Sequence, residues 1–562
     1  MKKLTLIGAA LALSACTMTP SQPVDVTIIG VNDFHGNLAP TSFRVPDPAD
    51  RTKTQTVQAG GIESIGTILK NARAQNPNTV FIGLGDVIGA SPLASNLLRD
   101  EPTIDAMNQL GMQLSVVGNH EFDNGVQELL RIQKGGCNSN DVTRACKYNN
   151  TYSGAKFQYL AANVVDEKTG QAVLPAYKIL NVGGVKIAFI GAVLKDTPTV
   201  VTPSGVAGLK FTDEAQAINK YVPIVKNMGA DAIIALVHQG GASTDAFDVV
   251  SCKTLSGDIV DVAKRIDPSV AAIMTGHTHK GYNCVLPDPN GKDRVVIQGD
   301  SYGHLLQRLD LRVDPRSNTV LDIKASNVVV DAAKTAKDPA MTAILTKAKS
   351  VTDPIANTPI ATLGVEQITR AANAAGESAL GDVIADSQLA ATQDPAKGGA
   401  VIAFMNPGGI RADFPVNVPN PSKNVTFGDA FTVQPFGNIL TVITLTGQQI
   451  KDTLEQQFDN PAAGQTRMLQ VSKGFAYSYD TTKEKGSRVS NITLNGAPLD
   501  LSASYRVTVN NFLADGGDNF TALKGGTNRL GGDVDVDAFA AYVKANAVNL
   551  SGQVQNRITK LQ

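Results

Sequence analysis

The sequence predicts an α/β chain made of two layered units joined by a helical linker. Three observations predict it. The chain of 562 residues exceeds what one core usually organises. Short runs rich in Val and Ile alternate with helix-like stretches from residue 24 to about 330. A unit with Gly- and Pro-rich turns then follows a helical connector.

Residues 26–31, 80–84, 114–117, 186–193, 232–237 and 271–274 read as buried strands bounded by Gly, Asn or Asp. Residues 62–74 and 127–133 read as helices between them, and such alternation argues for substantially buried sheets. The connector is read at 336–354, with a helix over 339–349 that Asp353-Pro354 ends. The second unit, 355–562, carries a helical stretch at 377–391 and turns around 406–409 and 417–421.

Charge nearly cancels, with 50 basic and 51 acidic residues, so no global field points to a nucleic acid polymer or an acidic membrane surface. No protein partner is implied either. The first residues say more. Lys2 and Lys3 precede the apolar run LTLIGAALAL, which is short for a membrane span and fits an export signal over residues 1–20. It ends in Leu13-Ser14-Ala15-Cys16, which resembles a bacterial lipobox with Cys16 as the lipidated residue; a plain signal peptide cleaved nearby is the alternative. Thr17, in place of Asp, favours the outer membrane by analogy with such lipoproteins. The expectation is a periplasmic or outer-membrane protein of a Gram-negative bacterium, touching the membrane through that anchor alone.

Removing Cys16 leaves Cys137, Cys146, Cys252 and Cys284, an even set that suits disulfides in an oxidising compartment. Four cysteines allow three connectivities, and the sequence does not choose. Nearest-neighbour pairing, Cys137–Cys146 and Cys252–Cys284, would close short surface loops, stabilising by at most about 3 and 4 kcal/mol. No C-x-x-C pair supports the rival zinc reading.

The polar residues matter because of where they fall. VNDFH, GLGD, VVGNH, LVHQ and MTGHTH each follow the C-terminal end of an expected strand, the edge where open α/β sheets bind ligands. Five of the six histidines lie in these motifs: His35, His120, His238, His277 and His279. The sixth, His304, stands outside them and reads as structural. A single histidine is usually structural too, but this concentration beside Asp and Asn is not scatter. Mixed nitrogen and oxygen donors suit divalent Zn, Mn, Co or Fe. Two such ions roughly 3.5–4 Å apart can clamp a phosphoryl group and supply a metal-bound hydroxide near neutral pH.

Asp33-x-His35, Gly85-Asp86, Gly118-Asn119-His120-Glu121, His238 and Gly276-His277-Thr278-His279 resemble the ordered signature of the calcineurin-like metallophosphoesterases. The resemblance implies a four-layer αββα catalytic domain over 24–335. It implies that Asp33, His35 and His279 hold one metal, that Asn119, His238 and His277 hold the other, and that Asp86 bridges them. It also implies that His120 stabilises the transition state or protonates the leaving oxygen, oriented by Asp123, with Glu121 as the alternative acid.

The second unit narrows the reading. ESALGD from Glu377, NPGGIR from Asn406, PFGN from Pro435 and NFLADGGD from Asn511 resemble the C-terminal domain of the 5'-nucleotidase family, which includes periplasmic UDP-sugar hydrolases. The resemblance implies a separate α/β substrate-binding domain and a hinge at the linker. Phe436 and Phe512 lie in Gly-rich polar turns and suit a nucleobase sandwich, with stacking worth about 1–3 kcal/mol per base. Asp518 suits ribose hydroxyls, and Asn406 and Arg411 the base or phosphate. One departure stands out. Before ESALGD the family has several substrate-binding arginines, whereas this chain has Arg370 alone, seven residues ahead.

The leading expectation is an exported 5'-nucleotidase with two divalent ions and a small nucleotide substrate. The alternatives are a 2',3'-cyclic nucleotide phosphodiesterase with 3'-nucleotidase activity, a UDP-sugar or NAD hydrolase, and a non-catalytic nucleotide-binding lipoprotein.

Overall fold

Two six-stranded sheets stacked face to face carry the first unit. In the computed structural model, which describes residues 22–201, 203–461 and 463–562, the first sheet runs in the order Thr319–Val329, Leu305–Asp314, Val24–Val31, Thr79–Leu84, Met112–Val116, Gln158–Leu160. The second runs Tyr282–Pro287, Asp293–Gln298, Ala272–Thr275, Ala232–His238, Val185–Val193, Tyr177–Val182. The export signal and Cys16 lie outside the described residues.

The sheets meet through Ile28, Ile82, Leu84 and Val116 on one side and Ile187, Phe189, Ile234 and Met274 on the other. On the outer face of the first sheet, the helices Ile62–Gln75 and Glu101–Leu110 pack Ile65, Leu69 and Met107 against Ile29 and Phe81. On the outer face of the second, Glu214–Asn227 and Asp258–Arg265 pack Ile218, Val222 and Ile259 against Ile190 and Ile233. The result is the expected four-layer αββα stack. It explains why TVFIGL and AIIALVH are buried at every position and almost wholly apolar: a strand covered on both faces has no solvent side.

The connector helix spans Pro339–Ala356 and passes through Pro354, so the expected stop at Asp353-Pro354 is corrected. The proline lies in the last turn, where its missing N–H removes one helical bond. Asn357 N–H still donates to Asp353 O, and Thr358 N–H to Ile355 O, which closes the end.

The second unit is a five-stranded sheet in the order Gln470–Val471, Ile402–Met405, Ser504–Asn510, Ile439–Thr446, Thr527–Val534, with a smaller four-stranded sheet beside it. Helices Ala379–Thr392 and Asp535–Asn546 flank the larger sheet. Ser378 begins the first of these by accepting from Gly381 N–H. Its neighbours Glu377 and Asp382 accept backbone N–H groups of Gln555, Arg557 and Ile558, so the two acids of the ESALGD block clamp the C-terminal strand.

The structure pairs Cys137 with Cys146 and Cys252 with Cys284, at Cα separations of 5.6 and 4.2 Å. Among the described residues no helix is long and apolar enough to cross a membrane.

Candidate active site

Strand direction assembles the site. Val24–Val31, Thr79–Leu84 and Met112–Val116 run parallel, as do Ala232–His238 and Ala272–Thr275, so their C-terminal ends emerge at one edge of the stacked sheets. The loops leaving those ends deliver Asp33, His35, Asp86, Asn119, His120, His277 and His279, and His238 is itself the last residue of its strand. Sharp turns are needed immediately after the strands. Asp33, His35, Asp86, His277 and His279 accordingly take positive φ, between 46° and 81°. Such backbone costs roughly 1–3 kcal/mol per residue and persists where the surroundings over-determine it.

The donor atoms converge in overlapping groups: Asp33, His35 and His279; Asp86, His238 and His277; and His35, Asp86 and His120, each within 4.8 Å of one another. His35 Nε2 lies 3.1 Å from His279 Nε2, and Asp33 Oδ1 lies 3.4 Å from His279 Nε2. Asp86 Oδ2 stands between the groups, 3.0 Å from His238 Nε2 and 3.8 Å from His35 Nε2. Asn119 Oδ1 lies 3.0 Å from His277 Nδ1. All seven expected ligands thus come together in one cluster, buried except for the half-buried His277 and His279.

These residues fit a pair of cations. His35 and His238 both turn Nδ1 onto a backbone carbonyl, Gly89 O and Leu84 O, each at 2.8 Å. That contact fixes the tautomer and aims an Nε2 lone pair into the cluster. His238 Nε2 is fully buried and has no aligned hydrogen-bond partner there, the condition of a ligand nitrogen.

The electrostatics agree for the acids, His35 and His277. At His238 burial is outweighed by Asp86 and Asp33, which raise it to about 10, so a cation there has to displace its proton. Burial would raise Asp33, but His279 and His238 outweigh it and hold the carboxyl at about 2. Burial would likewise raise Asp86, and His238 and His120 hold it well below the usual range. Burial lowers His277 to about 3 with help from His238, and pushes His35 well down. Both acids are therefore anions and both of these imidazoles neutral, the states a cation requires.

His120 is placed differently. Its Nδ1 lies 2.7 Å from Asp123 Oδ2, its backbone N–H donates to Asp86 Oδ1, and the ring meets the edge of His35 at 5.0 Å. Burial would lower its pKa, but Asp123 and Asp86 raise it above the ordinary value. Glu121 has another task. It accepts backbone N–H groups of Asp86, Val87 and Gly118, tying two site loops together, and burial beside Asp86 pushes it up to about 7. The acid touching His120 is Asp123.

A cavity of about 480 Å³ opens over this cluster and is closed from the other side by the second unit. Arg370, Asn406, Arg411, Phe436, Phe512 and Asp518 all line it together with Asp86, Asn119, His120 and Asp123. Phe436 stacks on His120 with ring centroids 5.8 Å apart and planes at 19°, and Arg411 lies 5.7 Å from the same ring. The two expected sandwich rings share the cavity, but the stacking partner of Phe436 here is His120.

Asp518 is buried, accepting from Asn406 Nδ2 at 2.8 Å and Arg467 Nη1 at 2.7 Å, while Asn510 Nδ2 donates to Asn406 Oδ1. Burial raises the Asp518 carboxyl, and Arg467 opposes that. Arg370 is exposed at the rim, with Nη1 on Ile410 O. Sequence reasoning missed Arg467, which sits in no motif; only its partner Asp518 could have pointed to a missing cation.

Comparison with known proteins follows this division of the chain. Residues 26–281 match the profile of the calcineurin-like phosphoesterases, and residues 354–525 that of the 5'-nucleotidase C-terminal domain. Endonuclease YhcR of Bacillus subtilis is 32% identical over 528 residues, covering 94% of this chain and 40% of that protein. Cell wall protein Lmo0130 of Listeria monocytogenes is 31% identical over 549 residues, covering 93% of this chain and 67% of that one. The chain therefore spans less than half of the first relative. The crystal structure of a 5'-nucleotidase precursor from Thermus thermophilus superposes with a TM-score of 0.75 at 27% identity, covering 96% of this chain and 100% of that one.

Proposed function

Because this chain belongs to the 5'-nucleotidase family of calcineurin-like phosphoesterases, we propose that it hydrolyses nucleoside 5'-phosphates to nucleoside and phosphate outside the cytoplasm. One observation carries the reading: four of the candidate metal ligands, Asp86, Asn119, His277 and His279, line the same cavity as the rings suited to a nucleoside. Asp33, His35 and His279 would hold one divalent ion, Asn119, His238 and His277 the other, with Asp86 between them; Zn, Mn, Co and Fe all suit this donor set. When bound, the ions supply Lewis acidity toward the phosphoryl oxygens and lower the pKa of a water at neutral pH.

The chain's own groups do the rest. His120, held by Asp123, which with Asp86 raises its pKa and favours the imidazolium, presents its other ring nitrogen to charge developing on the phosphoryl group or the leaving oxygen. Arg411 and Arg370 bring positive charge to the same cavity. Phe436 and Phe512 offer faces to a base, and Asp518, preset by Asn406 and Arg467, offers an anionic acceptor for ribose hydroxyls. Export rests on the lipobox-like Cys16 segment and on likeness to a protein named for the cell wall.

A phosphodiester reading draws on the 32% identity to a protein named endonuclease. A panel of AMP, 3'-AMP, 2',3'-cyclic AMP, UDP-glucose and NAD, assayed with Mn, Co and Zn and with a chelator, separates the readings. Preferred, chelator-sensitive phosphate release from AMP is expected. Release from a diester alone would replace the nucleotidase reading, and no turnover with any metal would leave a binding protein.

A further inference from the structure

The short helix Leu93–Asn96 belongs to the first unit but packs into the second. Leu93 and Leu97 join the apolar cluster of Ile410, Ala430 and Phe431. At the end of the helix, Asn96 Nδ2 donates to Pro435 O at 3.1 Å, the carbonyl directly before Phe436. Asn96 is in turn gripped by Arg144, whose Nη2 donates to Asn96 O at 2.6 Å and to Asn96 Oδ1 at 2.5 Å. With Oδ1 committed to a guanidinium, the amide can present only its NH₂ group to Pro435.

Arg144 sits on a segment that is tied down. It lies in the segment closed by the Cys137–Cys146 disulfide, whose Asn140 accepts from Arg99 and donates to Asn124 O, next to Asp123. Asn96 and Arg144 border the same cavity as His120 and Phe436. Polar contacts, joined by the 140–144 backbone in which Arg144 N–H donates to Asp141 O, thus link the backbone beside the His120–Asp123 pair to the backbone that carries Phe436.

We propose that Asn96, oriented by Arg144, is a positioning residue that sets the Phe436 ring over His120 and so governs how a nucleoside-bearing substrate is held. The proposal rests on the nucleotide reading above. Its consequence is selective: a substrate with a base to stack depends on where Phe436 sits, and a bare aryl phosphate does not.

Asn96→Asp tests it, because the carboxylate still accepts from Arg144 but cannot donate to Pro435 O. We expect KM for AMP to rise about three- to tenfold, the effect of one lost hydrogen bond, with kcat nearly unchanged. Kinetics on 4-nitrophenyl phosphate and the melting temperature should stay at wild-type values. Arg144→Gln, which frees the amide, should show the same split more weakly. A second readout needs no turnover. With only six histidines in the chain, selective labelling resolves the His120 ring, whose resonance carries the ring-current shift from Phe436. Asn96→Asp should move it toward its position in Phe436→Ala. An unmoved His120 resonance, or equal losses on both substrates, overturns the proposal. If the wild type hydrolyses no nucleotide, the function reading fails, and the His120 resonance still decides the positioning contact.

Discussion

Asp86 stands between the two groups of candidate ligands: it faces His35 and His238 and accepts the backbone N–H of His120. Asp86→Ala should therefore abolish turnover and leave the far-UV circular dichroism unchanged; wild-type-like phosphate release would remove its bridging role. The His120–Asp123 pair makes a graded prediction. His120→Ala should lower kcat by about 10²–10⁴-fold, the usual worth of a positioned acid or electrostatic donor. Asp123→Asn should lose less, because the amide still meets Nδ1 but cannot hold the ring charged. Steady-state kinetics in matched metal would show the order, and an inactive Asp123→Asn with an active His120→Ala would invert the roles.

Among the elements, the loop after Met112–Val116 leaves no room for a side chain. A Cβ at Gly118 would strike the Asp86 carboxylate and the His238 ring, so no side chain fits where the loop passes behind the cluster. Gly118→Ala should fold but bind metal weakly, as read by metal content after gel filtration; full metal content would show that the loop yields. The loop bearing Phe436 is braced from its far side by Asp535, whose carboxylate accepts from Asn438 and whose N–H donates to Asn438 O. Burial pushes this carboxyl up to about 7, against about 3.9 in an unfolded chain. The folded state therefore binds the proton more tightly, and between these values stability falls as pH rises, levelling above about 7. From pH 5 to pH 8 the wild type should lose on the order of a few kcal/mol more than Asp535→Asn in denaturant titrations. Equal losses would show that Asp535 titrates normally when folded.

At the scale of the whole molecule, the site exists only because two units face one cavity. The first supplies the cluster of candidate metal ligands and the second the rings and the arginines. Phe436→Ala should thus weaken use of AMP more than use of 4-nitrophenyl phosphate, by about five- to a hundredfold in kcat/KM for one lost stacking contact. An equal loss on both substrates would undo the stacking role. The connector helix Pro339–Ala356 is where any relative rotation of the units would be borne, and its packing of Met341 and Ile344 into the first unit ties that end down.

The sequence by itself determined the layered architecture and which polar residues gather at one sheet edge. Strands buried on both faces are apolar along nearly their whole length, and residues at the ends of parallel strands must emerge at one edge, so TVFIGL, AIIALVH and the motifs after them were readable as written. Helix ends were less legible, because a proline in a last turn costs a single bond and the connector ran on through Pro354. Tertiary structure alone decided the rest: that Asp123 and not Glu121 meets His120, that Arg467 balances Asp518, and that Asn96 and Arg144 reach Pro435. Those pairings join residues remote along the chain or choose between adjacent acids. No local periodicity records which polar groups burial will force together.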